Sequence, residues 1–302
     1  MKTNRRSFMK MLLVGGVAGG SLLTLNAASG GNLLKIAGNP KVPMGNEKHV
    51  VHDTTDTPEP NDENMALGMV IDLDKCDGCK DDLVYSDATG TFEPRCTSAC
   101  RVMHNVPPEQ EWIKVYHRSD NPLTEGFYFP RPCMQCQNSP PCVRVCPVGA
   151  AYHRPKSNDG QKGGDGLVLI KYNRCIGCRT CMAACPYEVR YFNWGAYRPD
   201  NPKNEEMHSP MFATVRTRGT VEKCDFCAHL GYGGKLSACA QACPKGAIYY
   251  GNLKEDTVTN GLLKSLTVRK TVTDRQGFRF KEDLNTQPRV FYLPKGANSG
   301  GN

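Results

Sequence analysis

The sequence predicts an α+β fold that is rich in loops and organised by groups of cysteines rather than by one large hydrophobic core. Its sixteen cysteines fall into four groups of four, with none left over. Glycine (30 residues) and proline (21 residues) interrupt the chain often, and hydrophobic residues make up only 39% of it. A short pattern of strand, cysteine loop, short helix, proline and second strand recurs along the chain. These observations predict similar modules that metal centres stabilise.

The cysteine groups have the spacing of iron–sulfur ligands. They are Cys76, Cys79, Cys96 and Cys100 (group one); Cys133, Cys136, Cys142 and Cys146 (group two); Cys175, Cys178, Cys181 and Cys185 (group three); and Cys224, Cys227, Cys239 and Cys243 (group four). Group three reads C-x2-C-x2-C-x3-C-P, the run that holds clusters in bacterial ferredoxins. Because one [4Fe–4S] cluster needs four thiolates, the sequence predicts four such clusters as cofactors.

Proline follows the last cysteine in three of the groups, at Pro147, Pro186 and Pro244. Proline lacks the N–H that would continue a helix, so it turns the chain away after the last ligand. Group one differs, because Arg101 takes this place and the spacing is stretched to C-x2-C-x16-C-x3-C. The surroundings of group one are therefore the least predictable of the four.

Three other cysteine chemistries fit the spacing less well. Structural zinc uses two C-x2-C pairs, and it explains neither a third cysteine at i+6 nor the repeated Cys-Pro. Closely spaced C-x2-C loops are poor geometry for independent disulfides, although an exported protein would permit such bridges. No C-x-x-C pair precedes a histidine, which argues against a c-type haem. A structural zinc protein remains the alternative.

Charge and motifs exclude other classes of function. The formal charge of +8 counts each cysteine as neutral, whereas an oxidised cluster with its four thiolates carries about −2. No basic stripe with interleaved aromatics is present, so we expect no nucleic-acid partner. Because the chain offers no triad, paired acids or phosphate loop, we predict an electron-transfer protein that is not itself an enzyme. A reductase whose exposed cluster acts directly on substrate is the alternative, and it would need a pocket and an acid–base group.

The N-terminal segment, residues 1–29, resembles a twin-arginine export signal, with Arg5 and Arg6 ahead of an apolar, glycine-rich stretch. That route exports folded proteins, so clusters assembled in the cytoplasm would cross with the chain. We therefore expect a peripheral protein in the periplasm or on the outer face of the cytoplasmic membrane. An uncleaved anchor is the alternative, although the glycines make the stretch a poor spanning helix. Three further segments are predicted to lie outside the modules: a polar tether (30–66), a connecting loop (198–219) and a C-terminal docking tail (252–302).

Other residues near the cysteines are weaker signals. Five basic residues either tune a cluster or are ordinary surface charges: Arg144, Arg174, Arg179, Arg190 and Lys245. The seven histidines are interpreted as surface residues or neighbours of ligands, because no cysteine is missing for histidine to replace. Four aromatic residues are expected to pack in the core around the clusters: Tyr187, Tyr191, Phe192 and Trp194.

Longer runs resemble a known family, the four-cluster electron-transfer subunits of the dimethyl-sulfoxide-reductase and polysulfide-reductase superfamily. The matching runs extend from Phe129 to Cys136, from Pro140 to Ala150, from Tyr172 to Arg179, from Met182 to Tyr187, from Lys223 to Cys227 and from Thr286 to Leu293. The resemblance covers roughly residues 66–293. The stretched spacing of group one departs from the family pattern.

The resemblance implies two ferredoxin-like modules. Residues 67–131 with 220–251 would hold groups one and four, and residues 132–197 would hold groups two and three. In two-cluster ferredoxins the last cysteine of a run ligates the other cluster. The implied ligand sets are Cys76, Cys79, Cys96 and Cys243 (cluster one); Cys133, Cys136, Cys142 and Cys185 (cluster two); Cys175, Cys178, Cys181 and Cys146 (cluster three); and Cys224, Cys227, Cys239 and Cys100 (cluster four).

The resemblance also implies partners. The usual ones are a molybdopterin-type catalytic subunit and a multi-helix membrane subunit that reacts with quinone, and the chain would relay single electrons between them. Related subunits serve multihaem cytochrome complexes, so a multihaem cytochrome is the alternative partner.

Overall fold

The structure is a computed structural model that describes residues 62–119, 126–154, 164–197 and 211–296. The predicted export signal lies outside the described residues, as do most of the predicted tether and residues 198–210 of the predicted connecting loop.

Short strands and helices alternate with loops through the described residues. The strands are β1 (Leu67–Asp72), β2 (Val84–Ser86), β3 (Thr91–Glu93), β4 (Lys114–Arg118), β5 (Phe127–Arg131), β6 (Ala151–His153), β7 (Val168–Ile170), β8 (Tyr191–Phe192), β9 (Val221–Glu222), β10 (Ile248–Asn252), β11 (Thr257–Asn260), β12 (Ser265–Thr267) and β13 (Val290–Leu293). The α-helices are α1 (Arg95–His104), α2 (Pro141–Arg144), α3 (Thr180–Ala183), α4 (Ala228–Tyr232), α5 (Ala238–Ala242) and α6 (Val268–Asp274). This mixture confirms the predicted α+β class.

A five-stranded sheet in the order β12-β11-β10-β1-β13 supports one side of the fold. Strand β1 is a run of buried residues, as expected for a strand with neighbours on both edges. It pairs antiparallel with β10 and parallel with β13, with Ile71 opposite Ile248 and Tyr292 respectively. The sheet therefore joins the first strand of the described chain to its last.

This sheet includes described residues of the predicted C-terminal docking tail (252–302). Strands β11, β12 and β13 belong to the same sheet as β1. The side chains of Val290, Tyr292 and Leu293 are fully buried, so burial of apolar surface holds this segment in the core. That the segment also contacts a partner stays a prediction.

Strand pairs flank the cysteine groups in the same way twice. Strand β1 precedes group one and pairs with β10, which follows group four. Strand β7 precedes group three and pairs with β6, which follows group two. In both cases an antiparallel pair brings together the two ends of a unit that contains two cysteine groups.

The cysteines are part of the hydrophobic core rather than separate from it. One cluster of buried residues includes Trp112, Met134, Phe226 and Tyr292 together with cysteines from all groups except the third. Residues 211–219, the described part of the predicted connecting loop, also pack inward. Arg216 is fully buried, and its guanidinium forms a 2.9 Å ion pair with the buried Glu222.

The stretched spacing of group one is explained by a β-hairpin. Strands β2 and β3 pair antiparallel within the sixteen residues between Cys79 and Cys96. The aromatic rings of Tyr85 and Phe92 lie against each other on this hairpin, and both side chains are exposed.

Among the described residues, no helix has the length and apolar character needed to cross a bilayer.

Candidate metal centres

All sixteen cysteines lie in the described part of the chain, and all are free thiols. Ten of these sixteen are buried, five are half-buried and Cys178 is exposed. Buried thiols at this density are unusual unless a metal centre binds them, since each metal site takes several thiolates at once.

Site one is a cavity at the start of α1. It is lined by Cys76, Cys79, Cys96 and Cys243. Burial raises the pKa of Cys76 to about 12, and the thiols of Cys243 and Cys79 add to the rise. Gly78 forms the turn of the first cysteine pair with φ +70°, and an added Cβ would collide with the ring of Tyr128. A residue other than glycine would be strained there.

Site four lies one helical turn further along α1. It contains Cys100, Cys224, Cys227 and Cys239, and all four are buried. Burial raises the pKa of Cys227 well above its usual value, and Cys239, Cys100 and Cys224 contribute to the rise. Helices α1 and α5 pack against each other. Helix α1 supplies a thiol to both sites, Cys96 and Cys100, whereas α5 carries Cys239 of site four and ends just before Cys243 of site one.

Site two combines thiols from groups two and three. Burial raises the pKa of Cys136 to about 12, and the neighbouring thiols of Cys133, Cys142 and Cys185 add to the rise. Burial also raises the pKa of Cys185, with contributions from Cys133 and Cys142. Cys185 therefore lies beside group two, although it belongs to the group-three run.

Site three is a second cavity, and it opens to the surface. It is lined by Cys146, Cys175, Cys178 and Cys181, together with Val148, Ile176, Arg179 and Arg190. The hydroxyl of Thr180 donates to Cys178 Sγ at 3.4 Å and lowers the pKa of this exposed thiol. Gly177 has φ +69°, and a Cβ there would meet the backbone oxygen of Gly219.

The four sets lie in the order one, four, two, three. Between successive sites, a thiol of one site contributes to the raised pKa of a thiol in the other. The linking pairs are Cys100 with Cys96, Cys224 with Cys133, and Cys181 with Cys142. Sites four and two are therefore internal, whereas sites one and three are at the ends of the series.

Backbone N–H groups donate to cysteine sulfurs in both modules. Ala151 N–H points to Cys146 Sγ at 3.4 Å, and Ala247 N–H points to Cys243 Sγ at 3.2 Å. Both donors follow a Cys-Pro turn, at the fifth residue after Cys146 and at the fourth residue after Cys243. Such contacts stabilise a thiolate more than a thiol, because the charged acceptor forms the stronger hydrogen bond.

The surroundings of sites two and three fit an anionic group. Arg190 lines the cavity of site three and is only 5% exposed. Its Nη1 and Nη2 atoms have no hydrogen-bond partner among the described residues. A buried cation without a partner is costly, whereas a cluster with its thiolates would supply negative charge beside it. The all-sulfur donor sets suit iron–sulfur clusters and also zinc.

His104 contacts site four. Its Nε2 atom lies 3.2 Å from Cys227 Sγ, and its Nδ1 atom lies 3.3 Å from a carboxylate oxygen of Asp225. Burial lowers the pKa of His104 to about 3, and the charge of Arg216 adds to the fall, so the ring is neutral. With a thiolate at Cys227, Nε2 would carry the proton and donate it to sulfur. His104, Asp225 and Cys227 also have metal-binding spacing, but Cys227 already belongs to site four.

The sequence did not distinguish His104 from the other six histidines. Its i+4 spacing from Cys100 on α1 was the available signal, because residues four apart share a helix face. The structure shows that the predicted basic residues near the cysteines differ in exposure to solvent. Arg144, Arg174 and Arg179 are exposed, and Lys245 forms a 3.4 Å ion pair with Asp77 while remaining 58% exposed.

The predicted aromatic core is correct for Tyr187 and wrong for Trp194. Tyr187 is 1% exposed and packs in the main core. Trp194 is 65% exposed at the surface beside site three. Its ring contacts Phe192 edge to face, and the Arg179 guanidinium lies 5.0 Å from its centre. The tryptophan follows the short strand β8 and points away from the core.

Comparison with family models gives two matches, both described as "4Fe-4S dicluster domain". They cover residues 124–200 and residues 167–255. The first range contains groups two and three, and the second contains groups three and four. These matches indicate [4Fe–4S] clusters and favour them over zinc in the all-sulfur sites.

Three curated relatives show what the chain is similar to. It is 35% identical to the iron-sulfur cluster-binding subunit of menaquinone reductase from Nitratidesulfovibrio vulgaris, over 76% of this chain and 89% of the relative. It is 36% identical to a subunit of selenate reductase from Mesobacillus selenatarsenatis, over 74% of this chain and 70% of the relative. It is 32% identical to a putative dimethyl sulfoxide reductase iron-sulfur subunit from Halobacterium salinarum, over 75% of this chain and 78% of the relative.

Proposed function

Because this chain belongs to the iron–sulfur subunits of the molybdopterin oxidoreductase family, we propose that it relays single electrons between two other subunits. Its relatives are named as subunits of reductases, which agrees with electron transfer rather than substrate chemistry in this chain. The relay would connect a membrane subunit that reacts with quinone to a catalytic subunit outside the cytoplasm.

The order of the four thiol sets is the observation that carries this proposal. Sites four and two are internal, and sites one and three lie at opposite ends of the series. Site three opens to the surface, with Cys178 exposed. A series with an accessible centre at an end lets an electron enter from one partner and leave to another. A protein that used one centre for chemistry would not need four sets in a row.

We assign the ligands by site. Site one takes Cys76, Cys79, Cys96 and Cys243; site two takes Cys133, Cys136, Cys142 and Cys185; site three takes Cys146, Cys175, Cys178 and Cys181; site four takes Cys100, Cys224, Cys227 and Cys239. Each set would hold one [4Fe–4S] cluster, which supplies one-electron redox chemistry when bound. The chain itself positions the thiolates, donates backbone hydrogen bonds to sulfur, and buries all four thiols of site four.

The proposed partners are a molybdopterin-type catalytic subunit and a multi-helix membrane subunit. The proposed location is the periplasmic side of the cytoplasmic membrane, reached by the twin-arginine route. Two relatives bear the names of a menaquinone reductase and a selenate reductase, which are consistent with a quinone at one end and a terminal reaction at the other.

Metal analysis and spectroscopy test the cluster assignment. Anaerobically purified protein should contain about sixteen irons and as many acid-labile sulfides per chain. Cys185→Ala and Cys133→Ala should alter the same EPR signal, because both thiols lie in site two, and Cys175→Ala should alter a different one. Stoichiometric zinc in a colourless protein would refute the clusters. A shared signal for Cys185 and Cys175 would refute the exchange of ligands between groups.

Purification of the complex tests the relay. Detergent extraction of the tagged chain, followed by mass spectrometry, should recover a catalytic subunit and a multi-helix membrane subunit together. Replacing both Arg5 and Arg6 by lysine should leave the holoprotein in the cytoplasm, since lysine lacks the planar guanidinium. Recovery of a lone protein that reduces many acceptors would instead indicate a diffusible ferredoxin.

A further inference from the structure

Arg190 occupies an unusual position between two of the sites. It immediately precedes β8 and is 5% exposed. It lines the cavity of site three. The thiols that interact with its charge come from site two and from site three, namely Cys142, Cys133 and Cys185 in site two and Cys181 in site three. One guanidinium is therefore placed against both sites.

No acidic side chain in the described part of the chain balances this charge. Glu188, two residues earlier, is 79% exposed and lies 3.7 Å from Arg131 instead. Among the other buried arginines, Arg154 and Arg216 have carboxylate partners. Arg154 pairs with Asp165 at 2.8 Å, and Arg216 pairs with Glu222 at 2.9 Å. The Nη1 and Nη2 atoms of Arg190 are buried and have no hydrogen-bond partner among the described residues.

We propose that Arg190 is a shared cation for the clusters of sites two and three, which raises the reduction potentials of both. The proposal rests on the ligand sets assigned above. Reduction adds one negative charge to a cluster, and a buried positive charge nearby favours that added electron. The effect is strong because burial lowers the local dielectric constant and keeps out counterions. Hydrogen-bond donors near cluster sulfurs act in the same direction.

A cation shared by two clusters has an electrostatic effect that a cation beside a single cluster lacks. Two neighbouring clusters that each gain an electron repel each other, and a positive charge placed between them offsets part of that repulsion. Removing the charge should therefore move both potentials in the same direction and leave clusters one and four almost unchanged. Arg190 acts through the clusters and touches no substrate, so it is a positioning residue rather than a catalytic one.

The test is potentiometric EPR of the full-length holoprotein with Arg190→Met. The reduction equilibrium of two of the four clusters should shift at least tenfold toward the oxidised form, which for a one-electron couple corresponds to about 59 mV. Arg179→Met is the matched control, because this arginine also lines site three but is exposed to solvent. Screening by water should keep the shift from Arg179→Met well below that from Arg190→Met.

Each alternative outcome is decisive. A shift in one cluster only, in all four, or in none would overturn the shared role. If Arg190→Met loses iron, loss of about eight irons together from sites two and three supports the proposal, whereas loss from one site or from all sites contradicts it. Arg190→Lys should restore both potentials toward the wild type, because it restores the positive charge. Failure of the ligand assignment would be visible separately, as an EPR signal that Cys185→Ala alters in common with Cys175→Ala rather than with Cys133→Ala.

Discussion

The two ends of the proposed relay differ in charge and in shape. Around site one, residues 74–87 contain five aspartates and two lysines, and the β2–β3 hairpin projects the exposed rings of Tyr85 and Phe92. Around site three, residues 141–151 and 171–187 contain four basic residues and no acidic one. Ile176 and Trp194 are exposed there, at 63% and 65%.

In the proposed relay, this difference would let the two ends select different partners. An acidic surface attracts a basic partner and repels an acidic one, and a basic surface does the reverse. Exposed apolar side chains at each end provide the area that a stable contact buries. A protein with two identical ends could not determine which partner binds at which end, whereas this chain presents two different surfaces.

The largest expected effect comes from removing one end at a time. Cys178→Ala should disrupt the cluster of site three, and Cys76→Ala should disrupt that of site one, with loss of about one to four irons in each case. Each variant should stop transfer across the complex, yet still exchange electrons with the partner at its intact end. Iron analysis and single-turnover reduction by each partner measure this. If both variants lose electron exchange with the same partner, the two-ended relay is wrong.

Glycine substitutions compare the frameworks of the two ends. Gly177→Ala places a Cβ against a backbone oxygen at positive φ, which should cost about 2 kcal/mol or more. Gly78→Ala meets the side chain of Tyr128, which can move. The rate of iron release on warming measures the effect at each site.

The matched control for these variants is Gly149→Ala. Gly149 also has positive φ, at +63°, but an added Cβ there meets nothing within 4 Å. Gly149→Ala should destabilise the protein by about 1 kcal/mol, through conformational strain alone. The expected order of damage is therefore Gly177, Gly78 and Gly149. Equal damage from Gly177 and Gly149 would show that the close contact at site three is unimportant.

Trp194→Ser tests the apolar contact at the site-three end. Loss of an exposed tryptophan from the centre of an interface should weaken binding of that partner about tenfold or more. Leu263→Ser is the matched control, since Leu263 is 64% exposed in the β11–β12 turn. Affinity measured for the partner at each end distinguishes the two. An equal effect of Leu263→Ser would place the interface elsewhere.

The smallest expected effect concerns charge at the site-one end. Replacing Asp81 and Asp87 by asparagine should slow association with that partner about threefold at low salt and leave it unchanged at high salt. Replacing Arg174 and Arg179 by glutamine should leave the same rate unaltered. Stopped-flow association at two salt concentrations measures both. A salt-independent association rate in the wild type would show that charge does not contribute to binding at this end.

Several features of the fold were accessible from local sequence. The apolar runs from Met69 to Leu73 and from Leu167 to Ile170 predict strands, because alternation and β-branched residues favour extended backbone, and the structure has strands at Leu67–Asp72 and Val168–Ile170. The repeat of strand, cysteine loop and strand corresponds to the two strand pairs that flank the groups. The C-terminal segment was predicted as a tail because its sequence lacks cysteines. Its place in the sheet depends on pairing with β1, more than two hundred residues away.

The candidate sites also have features that local sequence predicts and features that it does not. In group three, spacing alone brings three thiols together, since Cys175, Cys178 and Cys181 lie at i, i+3 and i+6. The fourth thiol of each proposed set came from the resemblance to a family, because no local rule connects Cys185 to Cys133 or Cys243 to Cys76. The contact between His104 and Cys227 joins residues 123 positions apart, and the local signal for it was only the i+4 spacing of His104 from Cys100.

The sequence by itself determined the chemistry of this protein, namely sixteen thiols in four complete groups, the short loops around them, and the prolines that end those loops. These properties depend on covalent spacing and backbone geometry, which neighbouring residues set. Only the tertiary structure decided the order of the sites, which thiols are exposed, and which arginine is buried without a partner among the described residues. Those properties depend on packing between distant segments, where burial changes the electrostatics of a side chain without any change in its sequence context.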